Sequence, residues 1–488
     1  MKIRTLIGGV WDKYKSLPAA AKVSLWYIIC SVLQKGISFL TTPIFTRIMT
    51  TEQFGQVTLY NSWINIVCIF TTLNLQYGSF NTAQVKFPND RKAYTSSIQG
   101  LVLVISALAL GVTVLLGKAL SGLMELPVVL LLLMIVHINA RFSSDIWMSN
   151  CKFDFKYKAM SVVIITSSLL AQVFGVVAVL STAEKGYNRI IATAIVEILF
   201  GFAIAIYNYS QGKKFFYKKY WKFALGFNLP LIFYYLSQVV FSVSDRIMIS
   251  SMVGTDKAGI YGLAHTIALL LVFVISAIRN SYTPWFFKQL KSNETANVNK
   301  FNIAISAAIG NILLLFAFVA PELLLLMGGQ AYYESVWIIP PLIAGLLFEF
   351  FTDPACNVLF FFEKKSSLVA ATIGCALFNI IFNYLGIRLF GYFAAAFVTL
   401  ASYILFWLFL YICAKRICKK NDYAHSQILP FRAQMLLGLG FLTLVGICTA
   451  LYPFRYLRYG VLLIAAIILA INYKKVIALV QKFMAMRK

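Results

Sequence analysis

Apolar stretches of about 20 residues recur along almost the whole of this chain, and that repeat fixes the fold class before any motif is considered. Each is long enough, as a helix, to cross a hydrocarbon core of about 30 Å, whereas the strands of an outer-membrane barrel would alternate over about ten residues. With 60% hydrophobic and only 12% charged residues in a length of 488, the chain is too apolar for a soluble protein of its size. The expectation is an all-α polytopic membrane protein with about 14 transmembrane helices. The loops and tails then average about fourteen residues, so no soluble catalytic domain fits in any of them.

Charge orients the helices. The formal net charge is +26, and basic residues accumulate in short cytoplasmic loops of membrane proteins. Assigning the amino terminus and every second loop to one side collects roughly three quarters of the 43 Lys and Arg, including Lys213, Lys214, Lys218, Lys219 and Lys222. Both termini are therefore expected in the cytoplasm. Residues 1–22 are basic, carry Trp11 and Tyr14, and lack the apolar core of a cleaved signal, so they read as an amphipathic helix on anionic headgroups. The basic tail, 476–488, reads the same way. The eight cysteines lack metal-ligand spacing and read as packing residues, with no metal site.

Four cations, Lys35, Arg141, Arg246 and Arg279, fall inside apolar stretches. A charge at mid-bilayer costs roughly 2.5 to 3.5 kcal/mol on insertion scales, so such residues face a protein interior or a wet cavity and mark a pathway. His137, Arg141 and Asp145 recur every four residues, one stripe of a helix that either faces a cavity or holds helices together through an Arg141–Asp145 pair. Arg279 has no acid within a turn on its own helix and follows His265 by four turns on nearly the same face, which makes it the first candidate for binding phosphate. The alternative is snorkelling toward headgroups, with Pro284 and Lys288 just beyond. Lys35 lies too deep to snorkel easily and reads as cavity lining, whereas Asp245 and Arg246 read as a contact or gate between bundles.

Acids inside a membrane are natural sites for a coupling ion, H+ or Na+. Glu197 stands alone in its span, and Glu349 and Asp353 sit one turn apart, with Pro354 after Asp353 announcing a broken helix. Tyr60, Tyr234, Tyr235, Tyr282 and Trp285 lie near helix ends and suit either interfacial belts or sugar stacking. No nucleotide-binding glycine loop and no Ser-His-Asp set is present, so no ATPase, cofactor or nucleic-acid partner is expected.

An internal echo relates the first span to the seventh. Pro43 to Tyr60 (PIFTRIMTTEQFGQVTLY) and Ser244 to Ala264 (SDRIMISSMVGTDKAGIYGLA) both read Arg-Ile-Met, a short polar turn, Gly, and Tyr at the opening of the next helix. This spacing suggests two six-helix bundles, 23–210 and 220–415, followed by two further helices in 432–475.

These segments, with Glu52, Phe54 and Gly55, the Asp245-Arg246 pair followed by Gly254, Gly259 and Tyr261, and the late stretch Phe378 to Tyr403, resemble bacterial Wzx-type polysaccharide flippases. Those belong to the multidrug, oligosaccharidyl-lipid and polysaccharide exporter superfamily. The late stretch departs from the family pattern in having Arg388 before its Gly and Phe393 before its Ala pair. The resemblance implies two pseudo-symmetric bundles around a central cationic cavity in the bacterial inner membrane, and no enzymatic activity. It also implies an undecaprenyl-diphosphate-linked oligosaccharide as cargo, flipped from the cytoplasmic to the outer leaflet for O-antigen or lipopolysaccharide-type synthesis. Bilayer lipids and the polysaccharide polymerase and chain-length machinery are the implied partners. A lipid II flippase shares the helix count and basic cavity; a multidrug exporter usually has twelve helices and an acidic interior. A membrane-embedded polymerase or glycosyltransferase would need a long outward loop that this chain lacks.

Overall fold

The computed structural model describes residues 19–471, and among them every regular element is a helix. The expected terminal segments, most of 1–22 and all of 476–488, lie outside the described residues. The chain divides into two compact units at Ser251/Met252.

The first unit runs through α1 (Ala19–Ile48), α2 (Thr51–Thr72), the short α3 (Gly78–Lys86), α4 (Arg91–Met124), α5 (Val128–Phe153), α6 (Tyr157–Ser181) and α7 (Lys185–Gly212). It closes with α8 (Lys218–Asn228) and α9 (Ile232–Met252), separated by one 3-10 turn at Leu229–Leu231. Thr50 starts α2 with a capping box: its hydroxyl accepts from the Gln53 N–H at 3.2 Å, and the Gln53 side chain accepts from the Thr50 N–H at 3.1 Å. Two orphan donors are thereby satisfied within one turn. Inside the unit, Asn208 donates to Gln99 Oε1 at 3.0 Å and to the Ser143 carbonyl at 3.3 Å, joining α7, α4 and α5 through amides that lipid could not satisfy.

The sequence places the seventh span at the head of the second bundle, from residue 220, but its first half is packed into the first unit. Tyr220 and Ala224 are buried with Phe80 and Tyr94, and the Tyr94 and Tyr220 rings meet edge-on at 5.3 Å. Asn228 then ties this segment to the chain end of α2, donating to the Leu73 and Asn74 carbonyls at 2.9 Å. Aromatic burial of this size outweighs the loop that the lysines at 213–222 suggest.

The second unit contains α10 (Thr255–Lys291), α11 (Val298–Gly328), a 3-10 segment Gln330–Trp337, α12 (Ile339–Phe351) and α13 (Asp353–Phe361). It continues with α14 (Lys365–Phe390), α15 (Ala394–Lys420), the single turn α16 (His425–Ile428), α17 (Phe431–Ala450) and α18 (Arg455–Ile471). Gly254, at φ +144, opens α10 where Thr50 opens α2, so the two echoing turns start their helices by different means. Despite Arg388 and Phe393, the chain breaks between α14 and α15, at Gly391 with φ +74, a conformation L side chains rarely adopt. Asn379 and Ser402 hold these two helices together through a 3.2 Å hydrogen bond, and Asn383 donates to Asn379 at 2.9 Å.

Among the described residues, eleven helical segments are long and apolar enough to cross a membrane, α8–α9 counting as one and α12–α13 as another. The remaining segments read as spans, α1, α2 and α18, are helical as well, α18 over 17 residues.

Candidate functional site

Each unit gathers an arginine and carboxylates from separate helices. In the first unit, His137 of α5 and Glu197 of α7 meet at 2.8 Å, Nε2 to Oε2. The helices come this close because Gly201, one turn beyond Glu197, presents no side chain to Ala140, one turn beyond His137. The same Oε2 lies 3.9 Å from Arg141 Nε. At the other ring nitrogen, Tyr60 of α2 reaches His137 Nδ1 at 3.3 Å and is almost fully buried. A continuous polar chain, Tyr60–His137–Glu197–Arg141, therefore crosses three helices.

This arrangement changes two expectations. Glu197 does not stand alone, because two basic side chains on α5 converge on it. Arg141 makes its ion pair with Glu197, while Asp145, one turn away on its own helix, lies beyond ion-pair distance and adds only longer-range attraction. The Arg141 side chain keeps half its surface exposed although it lies mid-helix. At 3.9 Å its hold on Glu197 is loose, so its outer donors remain available to a second anion.

The second unit builds a tighter cluster. Arg279, midway along α10, donates from Nε to Asp353 Oδ2 at 2.8 Å and from Nη2 to Glu349 Oε1 at 3.3 Å. The expected helix break is present: α12 stops at Phe351, and Pro354, lacking an N–H, allows α13 to begin anew. That break turns Asp353 into the first turn of α13, where the helix N-terminus favours a carboxylate. Arg279, isolated along its own helix, is thus matched by two acids from two neighbouring ones, Glu349 of α12 and Asp353 of α13. Its fork is occupied, and Arg141 becomes the better candidate for phosphate. His265 sits four turns earlier on α10, half-buried.

The remaining candidates are placed as follows. Lys35 is exposed on α1. Asp245 and Arg246 pair at 3.2 Å near the end of α9 with little exposure, and the Arg246 guanidinium also donates to the Ser242 carbonyl of its own helix. Tyr282 and Trp285 are unavailable to sugars: Tyr282 donates to Asn302 Oδ1 at 2.7 Å, and Trp285 packs on Phe301 with ring centroids 4.0 Å apart, both rings being buried. Tyr234 and Tyr235 are half-buried on α9.

Two further clusters went unread in the sequence. Arg458 of α18 is buried against Glu322 of α11, whose Oε1 also accepts from Tyr459 at 2.8 Å. The signal was present, since Glu322 follows Pro321 inside an apolar stretch. Outside the spans, Glu334 Oε1 accepts from Lys257 Nζ at 2.5 Å and from Tyr392 at 2.8 Å. Partial burial alone would raise the Glu334 carboxyl; the hydrogen bonds from Lys257 and Tyr392 and the Lys257 charge together hold it below its ordinary range.

Residues 20–290 match the family described as "Polysaccharide biosynthesis protein". The chain belongs to this family. Among curated proteins it is 25% identical over 387 residues to "Lsg locus putative protein 1" of Haemophilus influenzae, covering 72% of this chain and 91% of that one. Among solved structures it is similar to the lipid II flippase MurJ in an inward closed conformation, with a TM-score of 0.67 at 14% identity, over 93% of this chain and 100% of that one. An inward-facing multidrug resistance MATE family transporter aligns with a TM-score of 0.61 at 12% identity, over 81% and 96%. A transporter from Pyrococcus furiosus, described by a reversed polarity of its binding pocket, aligns at 0.56 and 13%, over 82% and 95%. The fold is that of the MOP superfamily of membrane transporters.

Proposed function

We propose that this member of the polysaccharide biosynthesis family flips undecaprenyl-diphosphate-linked oligosaccharide units from the cytoplasmic to the outer leaflet of the bacterial inner membrane. A diphosphate carrying several sugars cannot cross hydrocarbon unaided, because each polar group would lose its water without replacement. The observation that carries the reading is Arg141: a mid-span guanidinium, half exposed and only loosely held by Glu197, in a chain of this family. Arginine suits the task, since its planar fork stays charged and meets phosphate oxygens two at a time.

In this reading Arg141 receives diphosphate, while His137 and Tyr60 position Glu197 behind it. Glu197 in the first unit and the Glu349–Asp353 pair in the second are the sites where H+ or Na+ from an ion gradient would act, Arg279 holding the second pair together. The protein is a transporter rather than an enzyme, with both termini cytoplasmic, and it hands its cargo to a polysaccharide polymerase and chain-length machinery. The likeness to a lipid II flippase rests on 14% identity and carries the fold alone, whereas the family match favours polysaccharide precursors.

The test is a deletion strain. Lipid-linked repeat units are expected to accumulate on the cytoplasmic face, with surface polysaccharide lost and restored by the intact gene. Normal surface polysaccharide in the deletion strain would remove the assignment.

A further inference from the structure

The first unit holds a cavity of about 770 Å³ at one end of α4, α5, α6 and α7, whose inner wall begins at Phe200, one turn beyond Glu197. Its mouth is polar and its wall is not. Arg91, Lys92, Asp154 and Lys156 lie at the helix ends around the opening, while Val163, Phe200 and Ile204 line the part that runs along α6 and α7. Three cations face one carboxylate there. Asp154 is shared between Lys156, at 3.4 Å, and Arg91, at 4.0 Å, and Lys92 reaches only the neutral Gln211 amide, at 2.9 Å. The mouth therefore keeps surplus positive charge next to an apolar slot, which is the division of a membrane lipid into head and chain.

A second observation concerns Asn150, which also lines the cavity. Its Nδ2 donates to Thr95 Oγ1 at 2.9 Å, but its Oδ1 is buried without a hydrogen-bond donor. An acceptor left this way is unsatisfied, and a ligand hydroxyl at the cavity wall would satisfy it once the amide turns toward the cavity. The adjoining lysines at 213 and 214 belong to the basic loops that mark the cytoplasmic side.

We infer that this cavity binds an anionic glycerophospholipid of the cytoplasmic leaflet, with phosphate at Arg91, Lys92 and Lys156, a head-group hydroxyl donating to Asn150, and an acyl chain along Val163, Phe200 and Ile204. Phosphatidylglycerol supplies both the charge and the hydroxyl. The volume lies within the range of small-ligand pockets, about 300 to 1,000 Å³. Bulk attraction to acidic lipid would need none of the slot; a resident lipid needs both halves.

The test uses the full chain purified in detergent, its thermal unfolding followed with added phosphatidylglycerol, phosphatidylcholine or undecaprenyl diphosphate, and bound lipid counted by native mass spectrometry. Phosphatidylglycerol is expected to raise Tm and to remain as a one-to-one adduct, with phosphatidylcholine giving little. The doubly substituted K92Q/K156Q protein should unfold normally without lipid, both lysines being exposed, yet lose most of the shift and the adduct. Asp154→Asn, which frees Lys156 and Arg91, should bind severalfold tighter. Equal shifts with the zwitterionic lipid, an unchanged shift in K92Q/K156Q, or protection by undecaprenyl diphosphate alone would each overturn the assignment.

Discussion

Gly201 of α7 lies directly against Ala140 of α5, so close that a Cβ at position 201 would sit 2.6 Å from the Ala140 Cβ. One turn back along both helices is the 2.8 Å contact between Glu197 and His137. The polar pair thus depends on a missing side chain: helix backbones in membranes approach this closely only where small residues face each other.

Filling that gap should separate the helices. Gly201→Val is expected to destabilise the protein by about 1 to 3 kcal/mol, as overpacked cores do, and to reduce flipping at least tenfold even where the protein is made and inserted. Gly201→Ala should fall between. A Gly201→Val protein with wild-type transport would show that the Glu197–His137 contact does not matter to function.

Arg141 and Arg279 are expected to fail differently. Arg141→Ala should leave the fold intact and reduce complementation by an order of magnitude or more, with Arg141→Lys recovering part, because lysine keeps the charge and loses the fork. Surface polysaccharide in the complemented deletion strain is the readout. Full activity of Arg141→Ala would return phosphate binding to another cation.

Arg279→Ala, by contrast, strands Glu349 and Asp353 beside each other with no counter-ion. A drop of about 1 to 3 kcal/mol in stability is expected, the fully buried case being larger and Arg279 still partly exposed. Combining it with Glu349→Gln and Asp353→Asn should restore much of the lost Tm. A normal Tm for the single variant would mean that Arg279 is not structural.

The Glu334 tie sets an acid limit. With its carboxyl held below the ordinary 4.5, the stability it contributes is present above that value and is lost as pH falls through the lower folded-state value. Lys257→Met should lower Tm modestly near pH 7, where the tie is intact, and by less at acid pH, so that the decline below about pH 4.5 flattens. An unaltered acid limb in this variant would place the pH sensitivity elsewhere.

Much of this was legible in the sequence because lipid imposes simple rules. Apolar run length gave the helices, and Pro354 announced the break that separates α12 from α13. Three of the five charged groups in the Arg141 and Arg279 clusters, Arg141, Glu197 and Arg279, stand alone or ambiguous along the chain yet find partners in space. Their partners were not legible. Ion pairs between Arg279 and Asp353 span 74 residues, and one-dimensional spacing finds only neighbours on the same helix. The Asp145 alternative for Arg141 arose from that restriction. Tyr282 and Trp285 misled for a related reason: an aromatic near a helix end has the same sequence signature whether it meets solvent, sugar or Phe301.

The interruption at Thr352 has a mechanical consequence. Thr352 keeps helical dihedrals, but the ladder is weakened there by Pro354, so the 23-residue run from Ile339 to Phe361 is two levers of roughly 20 and 14 Å meeting at a joint. Glu349 is on one lever and Asp353 on the other, and a single guanidinium grips both. Arg279 is the pin through that joint, tying a carboxylate on each side of it to the same neighbouring helix.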